Sequence, residues 1–171
     1  MTNAIQPLLA DALTAVINAA VTAVELDTVG FTARRSYPDW DDDFGDLKAL
    51  AVDVVFVSSG DSGGIPIELD SVGTVDTEPS IDIAVRKRFN TTSDREVGGR
   101  LKNSSVDALV RLVEQIHELF SGDRNTEITL ASGLYANWVN TKVRTYCDYA
   151  KLRQGCFLGV VRVRYDVSKA G

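Results

Sequence analysis

The strongest constraint on what this chain can fold into is a change of hydrophobic period, from helical to alternating, made twice along its length. Ile5, Leu8, Leu9, Ala12, Leu13, Val16, Ile17, Ala20 and Val21 recur every three or four positions, with Pro7 in the first turn. That spacing predicts an amphipathic N-terminal helix, with Gly30 just beyond it. A short extended run at 31–37 and an acidic turn at 38–46 follow, and then 47–58, apolar and β-branched, predicts a strand. Residues 59–79, rich in Gly, Ser and Asp, read as a long loop. Ile81, Ile83 and Val85 alternate with Asp82, Ala84 and Arg86, and the run continues through Lys87, Arg88 and Phe89, a half-buried strand with a basic end.

The second helical period begins at Ser104, where Asp107 three residues on predicts a capping box. Val106, Leu109, Val110, Val113, Ile116 and Phe120 form its apolar stripe, and Gly122 is its expected stop. Residues 126–130 allow another short strand. In the last segment Phe157, Val161, Val163, Tyr165 and Val167 alternate with Arg162, Arg164 and Asp166, which predicts a closing strand. Helix, strands, helix, strands is not the regular alternation of a parallel doubly wound sheet. The expected class is α+β, a mostly antiparallel β-sheet with two main helices packed on it.

At 171 residues, with 44% hydrophobic and 25% charged, the chain has the size and composition of one globular domain. A domain of that size buries roughly 70% of the surface of its unfolded chain, enough for a core without staples. Residues 59–79 and 91–103, the latter polar and holding Gly98-Gly99, are the expected mobile loops of this single domain. Asp11 and Asn18 interrupt the apolar opening and no base precedes it, which excludes a signal peptide or membrane span there. Cys147 and Cys156, nine residues apart, match no zinc spacing and no disulfide framework, and read as two packed thiols.

Charge is unevenly spread. The net of −6 hides a segment, 25–82, with fourteen Asp/Glu against three Lys/Arg, and another, 83–171, with nine acids against fifteen bases. Two readings follow. The halves face each other inside one fold, or they meet between subunits, where opposed patches fix register and partner. The acidic total argues against non-specific binding to DNA phosphates but leaves room for a local basic patch.

Two strings invite a chemical reading and fail it. Gly60-Asp61-Ser62-Gly63-Gly64 spells the nucleophile signature of trypsin-like proteases, whose chemistry needs a histidine to take the serine's proton. In that family the histidine precedes the serine, whereas the single histidine here, His117, follows it on an expected helix. An EF-hand loop starting at Asp39 needs Gly and Glu where Phe44 and Leu50 stand. No Gly-rich phosphate loop is present. No catalytic, cofactor or metal residue is therefore assigned, and the expectation is a protein that assembles rather than catalyses.

The layout of these segments resembles the tail terminator or neck-ring family of tailed bacteriophages. The resemblance rests on the N-terminal helix, the Tyr37-Pro38-Asp39-Trp40 acidic turn, the strands at 47–57 and 81–89 and the helix at 106–120. It ends with Tyr149-Ala150-Lys151-Leu152, Phe157 and the strand at 160–167. It covers most of the chain as a pattern, without a diagnostic motif. It implies a virion protein at the tail or neck, assembled in the host cytoplasm as a ring, usually a hexamer. Such a ring ends tail-tube growth and joins the tail to head-completion or neck proteins. DNA passes through its centre without specific binding, and no membrane or cofactor is involved. Another head-tail connector, a tail-tube or minor tail protein, or a cellular α+β binding module remain alternatives. The residues expected at a subunit interface are Asp39, Asp41, Asp42 and Asp43 on one side, with the 59–79 loop as a second acidic candidate. On the other side stand Arg86, Arg88, Arg162 and Arg164, paired on the outer faces of two strands.

Overall fold

Each change of hydrophobic period becomes a change of element. The computed structural model describes residues 5–36, 49–56, 80–131 and 133–169. In chain order the elements are α1 (Ile5–Thr22), β1 (Ala33–Ser36), β2 (Ala51–Phe56), β3 (Ser80–Arg88), α2 (Asn103–Leu119), β4 (Glu127–Ala131), β5 (Leu134–Thr145), α3 (Tyr149–Arg153) and β6 (Cys156–Lys169). The strands form one six-stranded sheet in the order β1-β2-β3-β6-β5-β4. β1 runs parallel to β2 and every other pair is antiparallel, so the class is α+β with a mixed, mostly antiparallel sheet and two long helices.

Alternation sorts the strands into two faces. Val52 and Val54 of β2, Ile81, Ile83 and Val85 of β3, and Phe157, Val161, Val163, Tyr165 and Val167 of β6 point to the helices and are buried. Leu9, Leu13 and Ile17 of α1 and Leu109, Leu112, Val113 and Ile116 of α2 meet them in one core. Helix α1 touches β1, β2 and β4, strands from opposite ends of the sheet order, so the sheet curls around it. Asn18 seals the outer edge there. Its side-chain amide donates to the Ala33 carbonyl at 3.0 Å, and its carbonyl oxygen accepts the Ala33 N–H at 2.8 Å. The residue that breaks the apolar run of the opening is thus the partner of an edge strand whose backbone would otherwise be orphaned.

Helix ends differ from expectation in three places. α1 closes at Val24, which takes a left-handed conformation (φ 55), with Glu25 N–H reaching the Ala20 carbonyl and Val24 N–H the Val21 carbonyl. That is the Schellman arrangement with valine in the position glycine usually holds; Gly30 also has positive φ, farther along. α2 begins at Asn103 with Lys102 as its N-cap and no side-chain capping bond, so the expected Ser104 and Asp107 box does not form. The preceding loop sets that start instead. The Asp94 carbonyl accepts the Lys102 N–H at 2.9 Å, and Arg95 bridges Leu101.

Asp94 itself is buried, and burial pushes its carboxyl up. The Asn90 amide, the Ser105 hydroxyl and the Lys87 ammonium outweigh that and hold it below the ordinary carboxylate value. At the far end of α2 the C-cap is Phe120, whose N–H reaches the His117 carbonyl, and the Asn125 side chain donates to the Leu119 carbonyl at 2.7 Å. Gly122 does not stop the helix. It lies against the Trp138 ring, where a Cβ would come within 3.2 Å of the indole.

The segment between 131 and 156, left without elements by the sequence, holds the longest surprise. β5 is a twelve-residue strand and α3 a five-residue helix capped by Asp148, whose carboxylate accepts the Lys151 N–H at 3.0 Å. Two register shifts interrupt β5, one between Trp138 and Asn140 and one between Val143 and Thr145. Each inserts an extra residue and resets the alternation. Thr141 fastens this strand to the end of α2 by donating to the Phe120 carbonyl, and its hydroxyl accepts the Trp138 indole N–H at 2.9 Å.

Gly159 lets α2 lie close on the sheet. A Cβ there would stand 2.5 Å from Val113 Cγ2 and 3.1 Å from both Phe157 Cε1 and the Tyr146 carbonyl oxygen. Gly159→Ala should therefore destabilise the fold by about 1–3 kcal/mol through overpacking. A fall in the urea midpoint with an unchanged slope checks it.

Candidate functional site

The face of the sheet turned away from α1 and α2 carries two groups of charged residues, whereas Arg35 of β1 turns to Asp11 of α1 and Lys87 of β3 to Asp94. In the first, Asp53 of β2 is fully buried. Arg86 Nε and Nη2 donate to one of its oxygens at 3.0 and 2.7 Å, and Arg34 Nε donates to the other at 3.0 Å. Cross-strand register explains the meeting, since Arg34 stands opposite Asp53 and Arg86 lies two places from Asp53's partner Ala84. The Arg86 side chain is 7% exposed. This corrects the expectation that Arg86 and Arg88 display themselves together: they share a sheet face, but Arg86 is held internally by an acid of the same chain. Arg88 lies at the exposed end of β3.

The second group is built in ranks across β3, β6 and β5. Ser80, Arg164 and Asn140 stand side by side in one rank, and Asp82, Arg162 and Lys142 in the next. Arg144 is the extra residue at the second bulge of β5. Ser80, Asn140, Lys142, Arg144, Arg162 and Arg164 line an open depression of about 340 Å³. Among the described residues its lining contains four cationic side chains and no carboxylate. Asp82 lies next to Arg162 and grips it with two bonds, from Nε at 2.8 Å and from Nη2 at 3.0 Å. The Arg144 guanidinium comes to 4.0 Å of the same carboxylate. Lys142 is exposed and makes no ion pair among the described residues. It sits directly opposite Arg162, a like-charge cross-strand pair that costs stability.

Chemically, the depression can receive an oxyanion. Guanidinium forks, an ammonium, an amide and a hydroxyl converge there, and guanidinium geometry matches the two oxygens of a carboxylate or phosphate. Of the arginines expected at an interface, the structure brings Arg162 and Arg164 to this depression and places Arg86 and Arg88 elsewhere. Asp39, Asp41, Asp42 and Asp43 lie outside the described residues, as do residues 59–79 with the 60–64 string. Lys142 and Arg144 escaped sequence reasoning because β5 did. One signal was there: Lys142-Val143-Arg144 has the same base-apolar-base spacing as Arg162-Val163-Arg164.

The remaining reactive groups stay apart. His117 lies in the last turn of α2. Cys156 is buried and Cys147 half-buried, both as free thiols, and burial with the neighbouring Asp148 charge pushes the Cys147 thiol up. Among the described residues no group of three His, Cys, Asp or Glu side chains could hold a metal, and no helix is long and apolar enough to cross a membrane.

Asp82→Asn should expose how closely the cations are crowded. Losing the charge that holds Arg162 should lower stability by about 1–3 kcal/mol at low salt. The deficit should shrink in high salt, where repulsion among Lys142, Arg144, Arg162 and Arg164 is screened. Urea unfolding at two salt concentrations checks both parts.

No protein-family model matches this sequence, and a search of the curated proteins finds no match either.

Proposed function

We propose that this chain is a structural virion protein that forms a ring at the top of a phage tail, ending tube growth and joining tail to head. The observation that carries the reading is the cation-lined depression on the sheet face turned away from α1 and α2, in a chain whose net charge is −6. A closed ring requires a heterologous interface, one surface of each subunit meeting a different surface of the next. A strongly basic face on an acidic chain supplies one half of such a contact, and complementary charge gives it register and direction. Further support comes from the α+β fold, which is the class that the resemblance to tail terminators implies.

In this role the protein works by position. Its partners are its own copies, the tail-tube protein on one side and a head-completion or neck protein on the other. The acidic total keeps DNA moving through the centre, since like charge opposes adsorption. The chain needs no cofactor for any of this, and its place is the virion.

Native mass measurement and negative-stain microscopy test the proposal. Six copies of the 18.6 kDa chain would weigh about 112 kDa, and a closed ring should appear at low salt and loosen at high salt. The ring should also bind purified tail tubes in preference to a portal. A chain that stays monomeric at every concentration, or a ring indifferent to salt, contradicts it.

A further inference from the structure

We propose that the depression lined by Ser80, Asn140, Lys142, Arg144, Arg162 and Arg164 is the docking site for the acidic run 39–46 of a second copy of this chain. The inference rests on the ring reading and gives its interface a partner of stated chemistry. Three observations point to an anion at this place. Among the described residues the lining offers donors and no carboxylate. Asp82 brings a single negative charge to Arg162, Arg144 and the facing Lys142, so among the described residues positive charge is in excess there. Asp82 fixes Arg162 by two bonds, so its guanidinium is oriented before anything binds, which lowers the ordering cost of docking.

The choice of a protein carboxylate over a nucleic-acid phosphate follows from two further facts. Among the described residues no aromatic side chain lines the depression, so bases would find nothing there to stack on. The chain as a whole is acidic, which opposes the long-range approach of a polyanion as dense as DNA. A partner with fewer charges, held close together, fits better. Residues 39–46 carry Asp39, Asp41, Asp42, Asp43 and Asp46 and no base. The arginines of the depression provide the geometry, with Arg144 carried there by its bulge, and Lys142 provides an exposed point charge at its rim. Arg86, buried on Asp53, takes no part. Asp82 acts as a positioning residue through Arg162.

A zero-length carbodiimide cross-link, which joins an ammonium to a touching carboxylate with loss of water, tests this on the full chain. Equal amounts of ordinary and ¹⁵N-labelled protein are mixed, assembled, cross-linked and digested. The expected product joins Lys142 to an aspartate of 39–46 in isotopically mixed pairs. Charge reversal then gives an independent arm. Lys142→Glu with Arg144→Glu should abolish the ring while leaving the circular dichroism spectrum unchanged, and adding Asp41→Lys and Asp42→Lys in the same chain should restore it. A ring in which Lys142 links only within its own chain, or links to nothing, overturns the docking and leaves the ring reading standing. So does a combined variant that folds but does not recover, or a depression that retains short duplex DNA in a Lys142-dependent way. A chain that forms no ring overturns both.

Discussion

The twofold period of β6 decides most of what this protein is. Its odd-numbered residues, Phe157, Val161, Val163, Tyr165 and Val167, enter the core, and Gly159 among them makes room for α2. Its even-numbered residues include Arg162 and Arg164 on the opposite face. A slip of one place would send both guanidiniums into the core and five large apolar side chains out of it, so the register is strongly fixed. Because β6 pairs with β3 on one side and β5 on the other, that register also brings Ser80, Asp82, Asn140 and Lys142 alongside the arginines. The same alternation that builds the core therefore builds the basic depression on its reverse.

The charge split between 25–82 and 83–171 resolves into two different uses of acid and base. One is internal. Asp53 with Arg86 is a buried pair, joined by the more exposed Arg34, and it stitches β1, β2 and β3 together. Taking away one member of a buried pair leaves an uncompensated charge and typically costs about 3–5 kcal/mol. Asp82 with Arg162 belongs to the same kind of contact between the two segments, nearer the surface. The other use is a local one, the grouping of Lys142, Arg144, Arg162 and Arg164 on β5 and β6. Among the described residues Asp82 brings one negative charge to Arg162, Arg144 and the facing Lys142, and that local excess of positive charge is what the proposed contact with a second copy would use.

Much of this was legible in the residues. Regular periods gave α1, β3, α2 and β6 nearly to their ends, because each keeps one phase from start to finish. β5 was hidden for a physical reason. Its two bulges reset the phase, so Trp138 and Thr141 face the core three positions apart, and Asn137, Asn140, Lys142 and Arg144 dilute what alternation remains. Lys142 and Arg144 vanished with it, and half the cations of the site were missed. Arg86 was misplaced because its alternation on β3 fixes which face it takes, while its burial depends on Asp53, a pairing that only strand order reveals. The start of α2 went astray similarly, since the loop bond from Lys102 to Asp94 overrode the local signal of Ser104.

A cryo-electron microscopy map of the assembled particle tests the central claim most directly, that the face of β3, β6 and β5 turned away from α1 and α2 contacts another copy. The account predicts a closed ring in which that face is covered by the neighbouring subunit, with protein density filling the depression around Lys142, Arg144, Arg162 and Arg164. A particle in which this face stands open to solvent on every subunit, with the copies joined through other surfaces, would contradict it.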